Sequence, residues 1–299
     1  PAPEVSVIVC TYRREDSLRN TLADLLQQDG VSAEILVMDQ TPVHEKETEA
    51  FLGDHADSLQ RVRLETPNLP AARNAGIERA RGEIVVFVDD DLRLPTGLIA
   101  GLTEQFRASD VDGVVPIVSM EGSREGQEIG LHYRFRGRWM DETRLRVPDA
   151  IGACMSFRRS ALVALGGFDE RMGRLNRSAS GEDLEFTRRF TRAGYNLWLA
   201  PRQRVLHLPA TPGGCEARVG AFAFDPSPHR RAVTYMILKE ERALGRLNAR
   251  AALRLLRANV LRRDVLFLGP LKTMAAAKRA VDLLQEVRTF VSSEECPRT

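Results

Sequence analysis

The sequence predicts an α/β fold: a doubly wound, mostly parallel (mixed) sheet with flanking helices, followed by a C-terminal helical extension. Three observations carry this expectation. β-branched apolar runs recur through the first half and are separated by stretches with helical periodicity. The main runs are largely apolar instead of alternating, as expected of strands buried on both faces. From Pro228 onward the strand signal gives way to basic and apolar residues at helical spacing.

In chain order, Val5–Cys10 (VSVIVC) reads as the first strand. Asp16 or Ser17 suits the cap of a helix running to about Gln28, with Leu18, Leu22, Leu25 and Leu26 on one face and Gly30 beyond its end. Ile35–Met38 is a second buried strand and Arg61–Leu64 a shorter one. Ala71–Arg81 reads as a helix stopped by Gly82, and Ile84–Val88 (IVVFV) as the most hydrophobic strand. Repeated β-α-β units require right-handed crossovers, hence a parallel sheet. Gly113–Val118 and Gly152–Phe157 are further strands, separated by a polar, charged and aromatic excursion over residues 119–147. Ser160–Leu165 is a short helix, residues 171–181 a mobile loop, and Glu182–Ala193 a helix stopped by Gly194. In the tail, Arg242, Arg246, Arg250 and Arg254 recur every four residues, with Leu244, Leu247, Ala251 and Leu255 on another face; Lys272–Val287 follows as a further helix.

With 299 residues, 43% of them hydrophobic, the chain has enough apolar surface for a full core. No apolar stretch approaches the roughly 18–20 residues of a spanning helix. The opening has no charged segment followed by a long apolar one, so no signal peptide is expected. Cys10, Cys154, Cys215 and Cys296 lie far apart, which argues against a disulfide framework or a structural zinc site and suits a reducing cytoplasm. Residues 228–290 hold fourteen Lys/Arg against five Asp/Glu, whereas residues 1–227 carry a net −6. A basic tail on a mildly acidic body suggests an anionic partner for the tail.

In open parallel sheets, ligands sit beyond the carboxyl ends of the strands. Thr11-Tyr12, Asp39 and Asp89-Asp90-Asp91 all fall there. Three adjacent carboxylates closing a buried strand are unfavourable without a cation, and oxygen ligands suit Mg2+ or Mn2+. A bare acidic triplet in a loop would read as a solvated turn; the strand before it and the polar groups at neighbouring strand ends reverse that reading.

These segments resemble family 2 glycosyltransferases of the GT-A fold. VSVIVCTYRR resembles the family's first strand and nucleotide loop, and EILVMDQT its second strand with a base-reading Asp. NLPAARNAGIERARGEIVVFVDDD resembles the stretch from the phosphate-side Arg to the D-x-D motif. GACMSFRRSALVALGGFDE resembles the acceptor-side strand and turn, and GEDLEFTRRFTRAGYNLWLAP the helix bearing the catalytic base. The resemblance covers about residues 4–210. It implies a metal-dependent, inverting, non-processive transferase using a UDP- or dTDP-sugar, with residues 1–97 as the nucleotide-sugar half, 98–227 as the acceptor and catalytic half, and 228–299 as a basic helical region.

The resemblance also implies roles. Asp39 accepts the N3–H of the base, its alternative being a turn or capping residue. Thr11 and Tyr12 lie beside base and ribose. Arg73 faces the diphosphate, its alternative being a surface helix arginine, while Asn74 holds the loop. Asp91 is the first-choice metal ligand; Asp89 binds ribose or metal, and Asp90 stands at the variable position. Asp183 is the general base, with Glu182 the neighbour most easily confused with it, and both also suit the positive end of a helix. His207 completes the metal site or is structural. Trp198 reads as core. Trp139 and Tyr133, with Glu182, are the acceptor-side candidates. Two departures bear on the donor: Arg13 stands where Asn is usual, and Gln40 where a second acidic residue often follows. No Q-x-x-R-W motif is present, which argues against a processive synthase.

For the tail, three readings stand: packing on the protein or on a second copy in a homo-oligomer, docking on an anionic membrane surface, or nucleic acid. The last is not expected, because aromatic interleaving is missing. Membrane docking would suit a glycan or lipid-linked acceptor and place a cytoplasmic chain at the inner face of the cell membrane. Two other function classes compete with the transferase. A sugar nucleotidylyltransferase normally opens with a Gly-rich loop that CTYRRED lacks, and an idle glycosyltransferase-like binding protein would not be expected to keep Asp39, Asp91 and Asp183 together.

Overall fold

Apolar β-branched runs can only be satisfied when both faces are covered, and the computed structural model places them in the middle of one sheet. It describes residues 2–120, 145–175 and 181–208, with Tyr235, Met236 and Lys239. Tyr133, Trp139, most of the 119–147 excursion and the basic helices expected within 228–290 lie outside the described residues. The chain divides into two units, Pro1–Phe222 and Ala223–Thr299. The sheet and its flanking helices belong to the first unit.

The elements are β1 (Val5–Thr11), α1 (Asp16–Leu26), β2 (Ala33–Asp39), α2 (Lys46–Asp54), β3 (Leu59–Arg63), α3 (Leu69–Arg79), β4 (Ile84–Asp89), β5 (Leu92–Arg93), α4 (Leu98–Gln105), β6 (Gly113–Met120), β7 (Leu145–Arg146), β8 (Cys154–Arg158), α5 (Arg159–Ala164), α6 (Glu170–Leu175), α7 (Glu182–Arg192) and β9 (Leu197–His207). The strand order is β3-β2-β1-β4-β8-β6-β9-β5, with β7 paired to β9. The expected mixed α/β sheet is therefore present. β3, β2, β1 and β4 run parallel; β8 then runs antiparallel to both β4 and β6.

The chain winds outward from β1 to β3 and returns to place β4 on the other side of β1. That reversal puts the topological switch point at the carboxyl ends of β1 and β4, where ligands of open α/β sheets bind. Alternate residues of β1 feed two cores. Val5, Val7 and Val9 join Leu18, Leu22, Leu98 and Leu102 on one face. Ile8 and Cys10 join Ala72, Ile77, Phe157 and Phe186 on the other. Helix α3 approaches β1 closely enough that a Cβ on Gly76 would lie 2.7 Å from Ile8 Cγ2, so only glycine fits.

Two local expectations are corrected. The first helix begins at Asp16 with Glu15 before it and no side-chain cap bond; Asp16 sits in the first turn, where its charge suits the helix dipole. The segment 171–181, read as a loop, begins as helix α6, which continues to Leu175. Its periodicity is too short to show in sequence.

Candidate active site

Strand register assembles the site. Thr11 pairs with Asp39, and Cys10 with Asp89, so three strand ends carry polar groups side by side at sheet spacing, about 4.8 Å. The Asp89 N–H donates to Ala153 O at 2.9 Å, which brings the start of β8, including Gly152, against the end of β4.

His207 comes from the far end of the sheet. It pairs with Leu92 of β5, and the Leu208 N–H donates to Asp91 O at 2.9 Å. His207 Nδ1 lies 2.8 Å from Leu208 O, an acceptor to which it donates, and Nε2 is turned to Asp91 Oδ1 at 3.5 Å. Asp89, Asp91 and His207 each offer one ligand atom, and these atoms lie within 4.8 Å of one another.

The residues fit a divalent cation. Asp91 Oδ1 and Asp90 Oδ2 are buried without a hydrogen-bond partner, a costly state that a metal ion would relieve. Four carboxylates, Asp89, Asp90, Asp91 and Glu182, share two guanidiniums, Arg14 and Arg73, so acidic groups outnumber cations at the site. The carboxylate oxygens suit Mn2+ or Mg2+, and an imidazole nitrogen beside them suits Mn2+. Titration reflects the crowding. Burial pushes Asp90 up to about 6, helped by Asp91 and opposed by Thr11 and Arg14. Burial also pushes Asp89 well up, with Asp91 and Asp90 adding to it and Arg73 opposing.

Arg73, expected to face a diphosphate, is 2% exposed. It donates to Glu182 Oε1 at 2.9 Å, to Gly152 O at 3.2 Å and to Asp89 Oδ1 at 3.4 Å, with its guanidinium 5.2 Å from the Phe168 ring centre. It spans the metal-side strand and the start of α7. Asn74 holds the turn after α5, accepting the Phe168 N–H at 2.8 Å and donating to Phe168 O at 2.9 Å.

Helix α7 presents Glu182 and Asp183 in its first turn. Phe186 and Phe190 anchor it one turn apart against Phe157, at ring separations of 5.2 and 5.0 Å. Asp183 Oδ2 accepts the Gly152 N–H at 2.6 Å, and Oδ1 the Leu184 N–H at 2.8 Å. Glu182 is buried, and burial followed by Asp183 raises its pKa against the pull of Arg73. Gly152 is confined between these groups: a Cβ there would lie 3.0 Å from both Arg73 Nη2 and Asp183 Oδ2.

Asp39 is enclosed, at 1% exposure. Oδ1 accepts from Thr41 N–H at 2.8 Å; Oδ2 faces Arg61 Nε at 2.8 Å and His44 Nε2 at 3.2 Å. Burial alone would raise its pKa, but these hydrogen bonds, His44 foremost, outweigh it and hold the carboxyl at about 2. His44 in turn reaches Glu15 through Nδ1 at 3.0 Å. Thr11 is buried and Tyr12 half-buried, with the Arg13 guanidinium 5.3 Å from the Tyr12 ring centre. Arg14, His44, Arg61 and Gly152 join the site without having been expected from sequence. Arg14 alone has a sequence signal, standing three residues past the Thr11 strand end; the others are defined only by contacts.

A family model described as Glycosyl transferase family 2 matches residues 6–166, more than half of the chain. The protein belongs to this family. Among family 2 relatives, the chain is 28% identical over 184 residues to the glucosyl-dolichyl phosphate glucuronosyltransferase of Haloferax volcanii, covering 57% of this chain and 58% of that protein. It is 26% identical over 215 residues to the pre-mycofactocin glycosyltransferase of Mycobacterium tuberculosis, covering 68% of this chain and 42% of that protein. The chain thus spans about half the length of these relatives. Solved structures share the fold: the mannosyltransferase PcManGT from Pyrobaculum calidifontis, in complex with GDP-Man and Mn2+, at TM-score 0.56 and 17% identity over 97% of this chain and 83% of that one, and S. aureus TarS at TM-score 0.59 and 17% identity over 95% and 81%.

The two departures from the family 2 pattern fall at conformationally defined positions. Arg13 adopts φ 54, the left-handed region that Asn tolerates better than other side chains. Gln40 Oε1 accepts the Asn68 N–H, and Asn68 caps α3 by accepting the Ala71 N–H at 3.2 Å. Trp198 is partly buried and packed against the core, with its indole N–H donating to Asp110 O at 3.2 Å, as expected of a core residue with one polar edge.

Proposed function

We propose that the protein is a metal-dependent, inverting glycosyltransferase that moves a sugar from a UDP- or dTDP-sugar to an acceptor hydroxyl in cell-surface glycan or glycolipid synthesis. The observation that carries this reading is the convergence of Asp89, Asp91 and His207 within ligand distance of one another, tied through Arg73 to the first turn of α7, where Asp183 stands. In this reading residues 1–97 bind the nucleotide-sugar, residues 98–227 supply the acceptor side, and the basic region 228–299 docks on an anionic surface.

Asp91 and His207 hold the ion, with Asp89 as a further ligand or a ribose contact. A bound Mn2+ or Mg2+ would neutralise charge growing on the departing nucleoside diphosphate. Thr11 and Tyr12 flank the base and ribose. Asp39 reads the base once the base displaces one of the contacts that enclose its carboxylate, from Thr41, Arg61 and His44. Asp183 takes the proton from the acceptor hydroxyl as that oxygen attacks the anomeric carbon, and a single direct attack inverts the centre. Asp183 suits this role better than Glu182, whose carboxylate is buried and committed to Arg73. Arg73 orients Glu182 and Asp89 from the diphosphate side of the site.

The acceptor class rests on a relative whose name carries a dolichyl phosphate group, and on the excess of fourteen basic over five acidic residues in 228–290. No helix among the described residues is long and apolar enough to cross a membrane, so surface attachment would fall to that basic region. Titration calorimetry with UDP, dTDP and GDP, each with and without Mn2+, tests the donor side: UDP or dTDP binds, and only with the ion. Failure of both to bind in the presence of Mn2+ sinks the donor reading. Vesicle flotation with phosphatidylglycerol, with and without residues 228–299, tests the tail; undiminished flotation of the shortened chain would count against it.

A further inference from the structure

The acidic triplet has a second buried partner that the proposed chemistry does not use. Arg14 follows β1 with only 6% of its side chain exposed, places Nη2 3.1 Å from Asp91 Oδ2, and places Nε 3.8 Å from Asp90 Oδ1. The other oxygen of Asp91, Oδ1, is buried with no hydrogen-bond partner and lies 3.5 Å from His207 Nε2. The two oxygens of one carboxylate thus face opposite ways: one towards a guanidinium, the other towards the remaining ligand atoms.

We propose that Arg14 is a positioning residue for the metal centre, engaging Asp91 Oδ2 so that Oδ1 alone is presented to the ion beside Asp89 and His207. The inference rests on the metal reading above. A free Asp carboxylate turns about a broad, two-fold terminal torsion, so it can offer either oxygen or both. An ion that demands near-octahedral geometry binds best to an oxygen fixed in advance. Groups that orient a ligand from behind in this way typically control metal affinity by about 10- to 100-fold. The planar fork of Arg14 meets two neighbouring carboxylates from one side, which a point charge cannot do as well.

The sign of the effect separates positioning from charge. Removing a nearby cation by itself favours a bound divalent ion, so a purely electrostatic Arg14 would weaken metal binding in the wild type. Positioning demands the opposite: Arg14→Met binds Mn2+ more weakly, by about 10- to 100-fold. The measurement is the Mn2+ dissociation constant by electron paramagnetic resonance with saturating UDP, on full-length protein whose fold is checked by circular dichroism. Arg14→Lys keeps the charge the buried carboxylates require, and it serves if Arg14→Met does not fold; weaker Mn2+ binding is expected there too, by a smaller factor. Affinity equal to or tighter than wild type in Arg14→Met, or in Arg14→Lys if that is the only folded variant, overturns the inference. Absence of Mn2+ binding to the wild type would instead remove the metal reading and this inference with it.

Discussion

Arg73 and Glu182 form a buried ion pair of 2.9 Å between α3 and the first turn of α7. The residues are 109 positions apart, and the pair joins the strand bearing the acidic triplet to the helix bearing Asp183. Burial of an ion pair is costly to set up, and costlier to break from one side.

Arg73→Met should therefore destabilise the protein by about 3–5 kcal/mol, because it leaves Glu182 and Asp89 without their shared cation. Arg73→Lys should recover only part, since one ammonium cannot reach Glu182, Gly152 O and Asp89 together. Urea unfolding followed by circular dichroism reads both; wild-type stability in Arg73→Met would show that the pair is not a structural tie.

Asp183→Asn should keep nucleotide binding and lose transfer by about 10²–10⁴-fold, the usual contribution of a general base. A stability loss of about 1–3 kcal/mol should accompany it, because both Asp183 oxygens accept backbone N–H groups and one would now face an amide N–H instead. Calorimetry with UDP checks that the donor site is intact, and urea unfolding reads the stability loss. Undiminished transfer would remove Asp183 as the base.

Metal removal and pH should act together on the triplet. Asp90 is held up to about 6 in the folded state, above its ordinary value, so its protonation stabilises the fold; that stability is complete below about pH 4 and lost as pH rises through 6. Melting temperatures of EDTA-treated protein should thus fall between pH 5 and 7 more steeply than those of Asp90→Asn. Added Mn2+ should raise the wild-type value at pH 7. Identical pH profiles for the two proteins would refute the assignment.

His44 gives a second pH dependence with its own window. Burial lowers its pKa, but Asp39 and then Glu15 outweigh this and raise it. The groups facing it are Asp39 of β2, Glu15 ahead of α1, and more distantly Glu49 of α2. Its contribution is fully present below the unfolded value, about 6.5, and lost as pH rises through the raised folded one. His44→Gln should flatten the decline in stability above neutral pH. Retention of the wild-type slope would show that another group titrates there.

Gly152→Ala places a methyl 3.0 Å from Arg73 Nη2 and Asp183 Oδ2. The expected outcome is a folded protein with a reduced kcat and nearly unchanged nucleotide affinity, since the acceptor-side groups are displaced and the strand ends of β1 and β2 are not. A loss of nucleotide binding with kcat intact would contradict it.

Much of this site was legible from residue order. Predominantly apolar, β-branched runs in VSVIVC, ILVM and IVVFV name their own strands because a strand buried on both faces shows little alternation, and the polar residue ending each run then marks the ligand edge. Thr11, Asp39 and Asp89 follow from that logic alone, and family resemblance added Asp183 and His207. The short helix α6 was not legible, because six residues give too few turns for periodicity to show.

What the sequence by itself determined is the set of groups at the strand ends and the α/β class that gathers them. The tertiary structure decided which groups face one another. Arg73, whose alternative reading was a surface helix arginine, is a buried tie to Glu182; Asp39 is an enclosed carboxylate held by Arg61 and His44, and Arg14 is the partner of Asp91. The physical reason is that a guanidinium reaches several ångströms from its backbone and is drawn to whichever carboxylates the packing has buried, and that pairing depends on contacts over sequence separations as large as 109 residues.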